Sequence, residues 1–158
     1  MRVLVDGVLD RAIVLFGADT DPGPELTWAR GVTLLAADDA GAAPPDDGPP
    51  DDGPVAVVGW SVAGLDALAF AARNAHVVDR VALIATPIPS DDRPAPSIPA
   101  KTLLLFGDKD PLTGSRHGTW WQRALPDARL EMQPGGGHDL LTPTWKRVLS
   151  HCAPRCRR

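Results

Sequence analysis

The stretch VAVVGWSVAG, residues 55–64, runs from four apolar residues into a turn of small residues that contains Ser61. An apolar strand that passes through such a turn into an alanine-rich segment predicts a strand–turn–helix unit. Two interpretations of Ser61 follow. It is either a nucleophile held in a strained turn, or a serine that caps a helix beginning at Val62. The stretch alone does not decide between them, because Gly-x-Ser is common by chance.

The rest of the chain surrounds this stretch with short strands and helices. The strand candidates are apolar at successive rather than alternate positions, which is typical of strands covered on both faces of a largely parallel sheet. They are AIVLF (12–16), VTLLAA (32–37), VAVV (55–58), VALIA (81–85), TLLLF (102–106) and ARLEMQ (128–133), with MRVLV (1–5) as a possible seventh strand at the edge. Candidate helices are 62–75, 115–125 and 144–152.

The alternation of strands and helices predicts the fold class. It is α/β: a compact, three-layer, doubly wound and mostly parallel sheet of about six or seven strands. A chain of 158 residues is expected to form a single domain, residues 1–158. Ligands of such sheets bind at the carboxyl ends of the strands, so functional side chains are expected in the turns that follow them.

Composition and charge argue against several functions. A net charge of −4 gives no electrostatic reason to bind nucleic acid. No apolar run approaches the roughly 18 residues of a membrane helix. The first residues lack the basic and apolar regions of a signal peptide, so we expect a cytoplasmic protein. The cysteines are Cys152 and Cys156, which leaves the body of the fold without a disulfide.

Three segments fall outside the strand–helix pattern. Residues 40–54 contain PPDDG twice and predict a flexible, solvated loop, with an acidic docking or calcium-binding loop as the alternative. Residues 87–100 join two strands through five prolines, too short and too broken for a cap domain, which predicts a site open to solvent. The tail 152–158 is predicted to be frayed. A zinc site there is disfavoured, because His151 and the two cysteines lack a fourth ligand.

Two further polar residues follow predicted strands. Asp110 comes after the TLLLF strand in GDKDP, and His138 follows three glycines in PGGGHDLL. An aspartate before proline could simply begin a turn. A packed structural histidine needs no preceding glycines, which favours a catalytic role for His138. Asp108, Asp91 and Asp92 are further candidates for the acid.

The chain order Ser61, Asp110, His138 resembles that of the α/β-hydrolase superfamily, in particular its small, capless serine hydrolases, over about residues 12–149. The stretch GWSVAG is similar to the family's Gly-x-Ser-x-Gly-Gly elbow, with Ala63 in place of one glycine. LLLFGDKDP is similar to its acid-bearing strand end, and GGGHDLL to its histidine loop. The resemblance implies that Ser61 is the nucleophile, His138 the general base and then acid, and Asp110 the residue that orients the imidazole.

The same resemblance implies an oxyanion hole made of two backbone amides. The amide of Val62 follows the nucleophile, and Ala18 would supply the second amide from the turn after AIVLF. That turn reads Phe-Gly-Ala (16–18) where the family has a His-Gly turn. Phe16 and Trp60 are candidate substrate-lining residues, with packing against a neighbouring strand as the alternative for Trp60.

The resemblance implies a serine hydrolase that cleaves an ester or thioester through an acyl-enzyme and requires neither a metal nor an organic cofactor. The expected substrate is a small-molecule or carrier-bound acyl group, with no nucleic acid or membrane as partner. The sequence identifies neither the acyl group nor the oligomeric state. Two alternatives stay open: acyl transfer or cyclisation by the same triad in a biosynthetic pathway, and a degenerate hydrolase fold that acts as a non-catalytic binding protein.

Overall fold

One seven-stranded sheet forms the centre of the molecule in a computed structural model that describes residues 1–37, 54–91 and 94–158. The strands are β1 (Arg2–Val5), β2 (Ala12–Phe16), β3 (Thr33–Ala37), β4 (Val55–Trp60), β5 (Val78–Ile84), β6 (Lys101–Gly107) and β7 (Ala128–Gln133). The helices are α1 (Pro24–Arg30), α2 (Ala63–Arg73), α3 (Gly114–Ala124) and α4 (Trp145–Cys152). All seven predicted strands and all three predicted helices are therefore confirmed, with small differences at their ends.

The strand order places a crevice beside the turn that contains Ser61. The order is β1-β3-β2-β4-β5-β6-β7, and all neighbours are parallel except β1, which is antiparallel to β3. The chain leaves β2 towards β3 on one side and returns to β4 on the other. The carboxyl ends of β2 and β4 therefore form the switch point at which doubly wound sheets bind ligands.

Helices cover both faces of the sheet, which makes three layers. Along β2, Val14 and Phe16 belong to the core cluster that contains residues of α2 and α3, whereas Ile13 and Leu15 belong to the cluster on the side of α4. Both clusters contain fully buried side chains. The continuous apolar runs follow from this arrangement, because a strand buried on both faces has no position for a polar residue.

Helix α1 was not predicted from the sequence. It has only seven residues, begins with Pro24 after Gly23 and ends at Gly31, which has a left-handed backbone conformation with φ of 71°. Within it, Thr27 accepts a hydrogen bond of 2.9 Å from the indole N–H of Trp145 on α4. A helix this short depends on such tertiary contacts, so its own sequence carries little signal.

The structure describes most of one proline-rich segment and almost none of the other. Residues 40–53 of the predicted loop 40–54 lie outside the described residues. The predictions of a flexible loop and of a docking or calcium-binding loop concern these residues and stay predictions. In the segment 87–100, the described residues contain neither helix nor strand, as the prolines predict. No helix in the described ranges is long and apolar enough to cross a membrane.

The prediction of a frayed tail at 152–158 is wrong. Cys152 and Ala153 are fully buried, and the Arg158 amide donates a 2.8 Å hydrogen bond to the Ala29 carbonyl. The guanidinium of Arg158 lies 4.4 Å from the ring centroid of Trp28, in the geometry of a cation–π contact. A basic tail after α4 therefore docks on α1, a helix that the sequence pattern did not predict.

The same packing engages two of the side chains weighed as zinc ligands. Burial raises the pKa of the Cys152 thiol to about 12, so the free thiol is protonated at neutral pH. The Nε2 atom of His151 lies 2.9 Å from the Val81 carbonyl oxygen.

Arg11 fastens the end of α4 to the sheet, which gives a test of this packing. The side chain is 9% exposed, donates from Nε and Nη2 to the Cys152 carbonyl at 3.0 and 2.6 Å, and pairs with Asp79 at 2.7 Å. Replacing Arg11 with Ala should lower the free energy of unfolding by about 2 kcal/mol, because a buried carbonyl loses its donors. Urea denaturation measures this, and equal losses in Arg11→Ala and in the exposed-residue control Arg73→Ala would contradict it.

Candidate active site

The turn after β4 holds Ser61 in a strained backbone conformation. Its φ is 58°, in the left-handed region that residues with a side chain rarely adopt. The Ser61 amide donates to the Ile84 carbonyl at 2.8 Å, and the Gly64 amide donates to the Ser61 carbonyl at 3.0 Å. The residue that caps α2 is Val62, and no side-chain hydrogen bond caps the helix. The helix-cap interpretation of Ser61 is therefore wrong.

Small residues let the chain pass through this turn. A Cβ added to Gly59 would lie 2.5 Å from the Gly64 Cα, and one added to Gly64 would lie 2.0 Å from Thr86 Oγ1. Both glycines are required because β4, α2 and the end of β5 approach one another more closely than side chains allow.

Ala63 occupies a position where the family motif has glycine. Its methyl group is accommodated by Gly17 on the other side of the crevice. Gly17 has a φ of 100°, and a Cβ built on it would lie 3.1 Å from the Ala63 methyl and 2.8 Å from the Trp60 carbonyl oxygen. The missing side chain at position 17 leaves room for the Ala63 methyl. It also brings the turn after β2, which carries Ala18, against both flanks of Ser61.

Asp110 is buried and fully hydrogen-bonded in the loop after β6. Its side chain is 0% exposed, and it accepts hydrogen bonds from the Leu112 amide at 2.8 Å and from the Thr113 hydroxyl. Burial raises the pKa of Asp110, but the hydrogen bonds from Thr113, His138 and Leu112 together outweigh it and hold the pKa below its usual value. Asp110 is therefore an anion at neutral pH.

Close contacts join the loop that carries Asp110 to the loop that carries His138. A Cβ on Gly107 would lie 2.1 Å from the Gly136 carbonyl oxygen, so the two backbones touch at a point where only glycine fits. The Asp108 carboxylate accepts a 2.7 Å hydrogen bond from the Gly135 amide. Asp108, which the sequence left as a candidate acid, thus braces the histidine loop.

Asp110 is the acid that contacts the histidine, with Oδ2 at 2.9 Å from His138 Nδ1. Of the remaining candidate acids, Asp91 is exposed and Asp92 lies outside the described residues.

Trp60 fixes His138 from the other side. Its indole N–H donates to the His138 carbonyl at 3.0 Å, and the two rings lie 5.5 Å apart at 46°. Trp60 therefore packs, both on the histidine loop and on the core cluster formed by the neighbouring strands on the side of α4. Phe16 is 1% exposed and packs on Phe70 with centroids 5.6 Å apart. The expectation that Phe16 lines a substrate site is therefore wrong, because its ring is part of the core.

The three loops bring Ser61, His138 and Asp110 into one hydrogen-bonded chain. Ser61 Oγ lies 2.7 Å from His138 Nε2, and His138 Nδ1 lies 2.9 Å from Asp110 Oδ2. Because the Asp110 carboxylate only accepts, Nδ1 carries a proton, and in the neutral ring Nε2 then accepts from the serine hydroxyl. This is the protonation pattern that a base needs to take a proton from serine.

Three further residues support the hydrogen-bonded chain from Ser61 to Asp110, and the sequence analysis did not predict their roles. They are Thr113, Asp108 and Trp60. A threonine three residues after an aspartate is a local signal for a hydrogen-bonded turn. The contacts of Asp108 and Trp60 join loops that are distant in sequence, and no local pattern could reveal them.

Comparisons with known proteins find similarity in structure only. No protein-family model matches the sequence, and a comparison with curated protein sequences gives no significant match either. The chain superposes on a predicted CIB-like hydrolase from Thermoplasma acidophilum with a TM-score of 0.66 and 17% identity, over 92% of this chain and 87% of that one. It is similar to alpha/beta hydrolase domain-containing protein 10 from mouse with a TM-score of 0.67 and 16% identity, over 92% of both chains.

A third solved structure similar to this chain is the carboxylesterase CesB from Bacillus subtilis. The TM-score is 0.64 at 15% identity, over 89% of this chain and 82% of that one. At such identities the likeness shows a shared fold, that of the α/β-hydrolases.

The pKa of Asp110 predicts a pH dependence of stability. A carboxyl whose pKa is lower in the folded than in the unfolded state stabilises the fold above its unfolded pKa, about 4, and loses this contribution as the pH falls. The free energy of unfolding of the natural chain should therefore exceed that of Asp110→Asn most clearly above about pH 4, and the gap should narrow below it. Denaturation between pH 3 and 7 measures the gap, and a constant gap would contradict the assignment.

Proposed function

Because the chain has the α/β-hydrolase fold, we propose that it is a serine hydrolase that cleaves a carboxylic ester or thioester through an acyl-enzyme. The observation that carries the proposal is the continuous chain of hydrogen bonds from Ser61 through His138 to Asp110, at 2.7 and 2.9 Å. The proposal is supported further by the strained backbone at Ser61, because strain of this kind is found where the structure needs an exposed reactive group.

The geometry supports a two-step reaction. His138 Nε2 takes the proton of Ser61 as Oγ attacks the acyl carbon, and the same proton passes to the leaving alcohol or thiol as its bond to the acyl carbon breaks. Water then attacks the acyl-enzyme with His138 as base, which releases the acid and restores the serine. Asp110 keeps the imidazole in the required tautomer and stabilises its cation.

The oxyanion would be bound by the amides of Val62 and Ala18. Val62 directly precedes the first residue of α2, so its N–H belongs to the positive end of the helix dipole. Ala18 follows Gly17, whose contacts with Trp60 and Ala63 bring this turn to the elbow. Because backbone groups do the binding, the absence of the family's histidine from the turn 16–18 does not remove a donor.

Kinetics on a simple activated ester test the proposal. With p-nitrophenyl acetate, Ser61→Ala should abolish enzyme-dependent turnover, and Asp110→Asn should lower kcat by about 10³-fold, because the imidazole loses the group that fixes its tautomer. Ser150→Ala, an exposed serine on α4, is the matched control and should keep full activity. Equal turnover by Ser61→Ala and Ser150→Ala would refute the proposal.

Trp60 is a positioning residue in this mechanism, since it contacts His138 and acts through it. Trp60→Phe keeps most of the ring and removes the N–H that holds the His138 carbonyl, so kcat should fall about tenfold with little change in KM. The exposed Trp28 provides the matched control Trp28→Phe. A rise in KM with kcat unchanged would instead indicate that Trp60 contacts the substrate.

A further inference from the structure

An apolar groove begins beside the nucleophile and runs along α2. It has a volume of about 390 Å³, which lies within the range of small-molecule sites. One wall is α2, and the other is the strap, our name for the described residues 87–91 and 94–100 of the proline-rich segment between β5 and β6. The apolar lining consists of Val62, Leu65, Leu68, Ala69, Pro89, Pro94, Ala95, Pro96 and Trp121.

The groove starts at the reacting centre. Val62, which lines it, directly follows Ser61, and its side chain is 64% exposed. From Val62 the groove follows α2 to the exposed Ala69, about 10 Å further at roughly 1.5 Å of rise per residue. One end of the groove is therefore lined by the residue next to the one that would carry the acyl group.

Fixed contacts hold the strap away from α2. The Ile88 amide donates to His117 Nδ1 on α3 at 2.8 Å, and Ile98 at the other end of the strap is 1% exposed. Burial lowers the pKa of His117, which favours the neutral ring that this hydrogen bond requires. Beneath the groove, the indole of Trp121 donates to the Thr86 carbonyl at 3.0 Å. These contacts fix both ends of the strap and the floor of the groove.

A second groove lies on the opposite side of the strap and differs from the first by two arginines in its lining. It is lined by Arg116, Arg123 and Trp120 of α3, and it shares Pro94 and Ala95 with the first groove. Its volume is about 860 Å³. Two exposed guanidinium groups make it a poor environment for an alkyl chain. It also lacks Val62, the residue that joins the first groove to Ser61.

We propose that the groove between α2 and the strap binds the acyl chain of the substrate, and that the substrate class is esters or thioesters of uncharged, apolar acyl groups of about eight carbons. The inference rests on the proposed function. The chain length is chosen to match the distance along α2 from Val62 to Ala69, and the preference for apolar chains follows from the lining. The exposed carboxylate of Asp66 also lines the groove. It disfavours acyl chains that end in a second carboxylate.

Chain-length kinetics on matched variants test the proposal. For the natural chain, kcat/KM should rise about 10²-fold from p-nitrophenyl acetate to p-nitrophenyl octanoate, because each buried methylene adds affinity. Ala69→Phe fills the groove and should lower the octanoate-to-acetate ratio of kcat/KM at least tenfold. Ala124→Phe places the same ring in the basic groove across the strap and should leave the ratio unchanged. Ala69→Leu, a milder change, should lower the ratio by a smaller factor and serves if the phenylalanine variant does not fold.

Each contrary result has its own meaning. A natural chain that hydrolyses the acetate but shows no rise towards the octanoate would overturn the groove assignment and leave the serine hydrolase intact. A ratio that falls in Ala124→Phe and not in Ala69→Phe would place the acyl chain in the basic groove and overturn the proposal equally. No turnover of either ester would refute the proposed function, and the groove assignment with it.

Discussion

The close contact of Gly59, near the end of β4, with Gly64, at the start of α2, is the constraint on which the candidate active site depends. Gly59 and Gly64 let β4 turn sharply into the helix, and this turn gives Ser61 its φ of 58°. A strained residue of this kind costs roughly 1–3 kcal/mol, which the surrounding packing must offset. With a relaxed backbone, Ser61 Oγ would not reach His138, and the remaining loops would have no partner to converge on.

Glycines also let the other loops of the site approach one another. Gly107 brings the acid loop against the histidine loop, and Gly17 brings the turn after β2 against the elbow. Rigid contacts then fix the orientation of the ring: Asp110 holds its Nδ1 side, and Trp60 holds the backbone carbonyl of the same residue. The site is thus preorganised by the scaffold, which is the condition under which a serine can be activated without further rearrangement.

The sequence predicted the sheet well because each central strand is buried on both faces, and such strands have an unmistakable apolar pattern. It missed α1, which is seven residues long and stabilised by Trp145, and it misjudged the tail 152–158, whose position depends on that helix. Both errors have one origin. Contacts between segments far apart in the chain decide these elements, and a local pattern does not report such contacts.

Chain order and flanking glycines predicted which of several serines, aspartates and histidines meet at the site, because parallel strands bring their carboxyl ends to one edge. Whether Ser61 is in fact activated is tested most directly by mass spectrometry of the intact protein after exposure to a fluorophosphonate, with peptide mapping of the adduct. The proposed mechanism predicts one adduct, located on Ser61, that forms slowly when His138 is replaced by Ala. A folded protein that gains no adduct, or gains it on another residue, would contradict that mechanism.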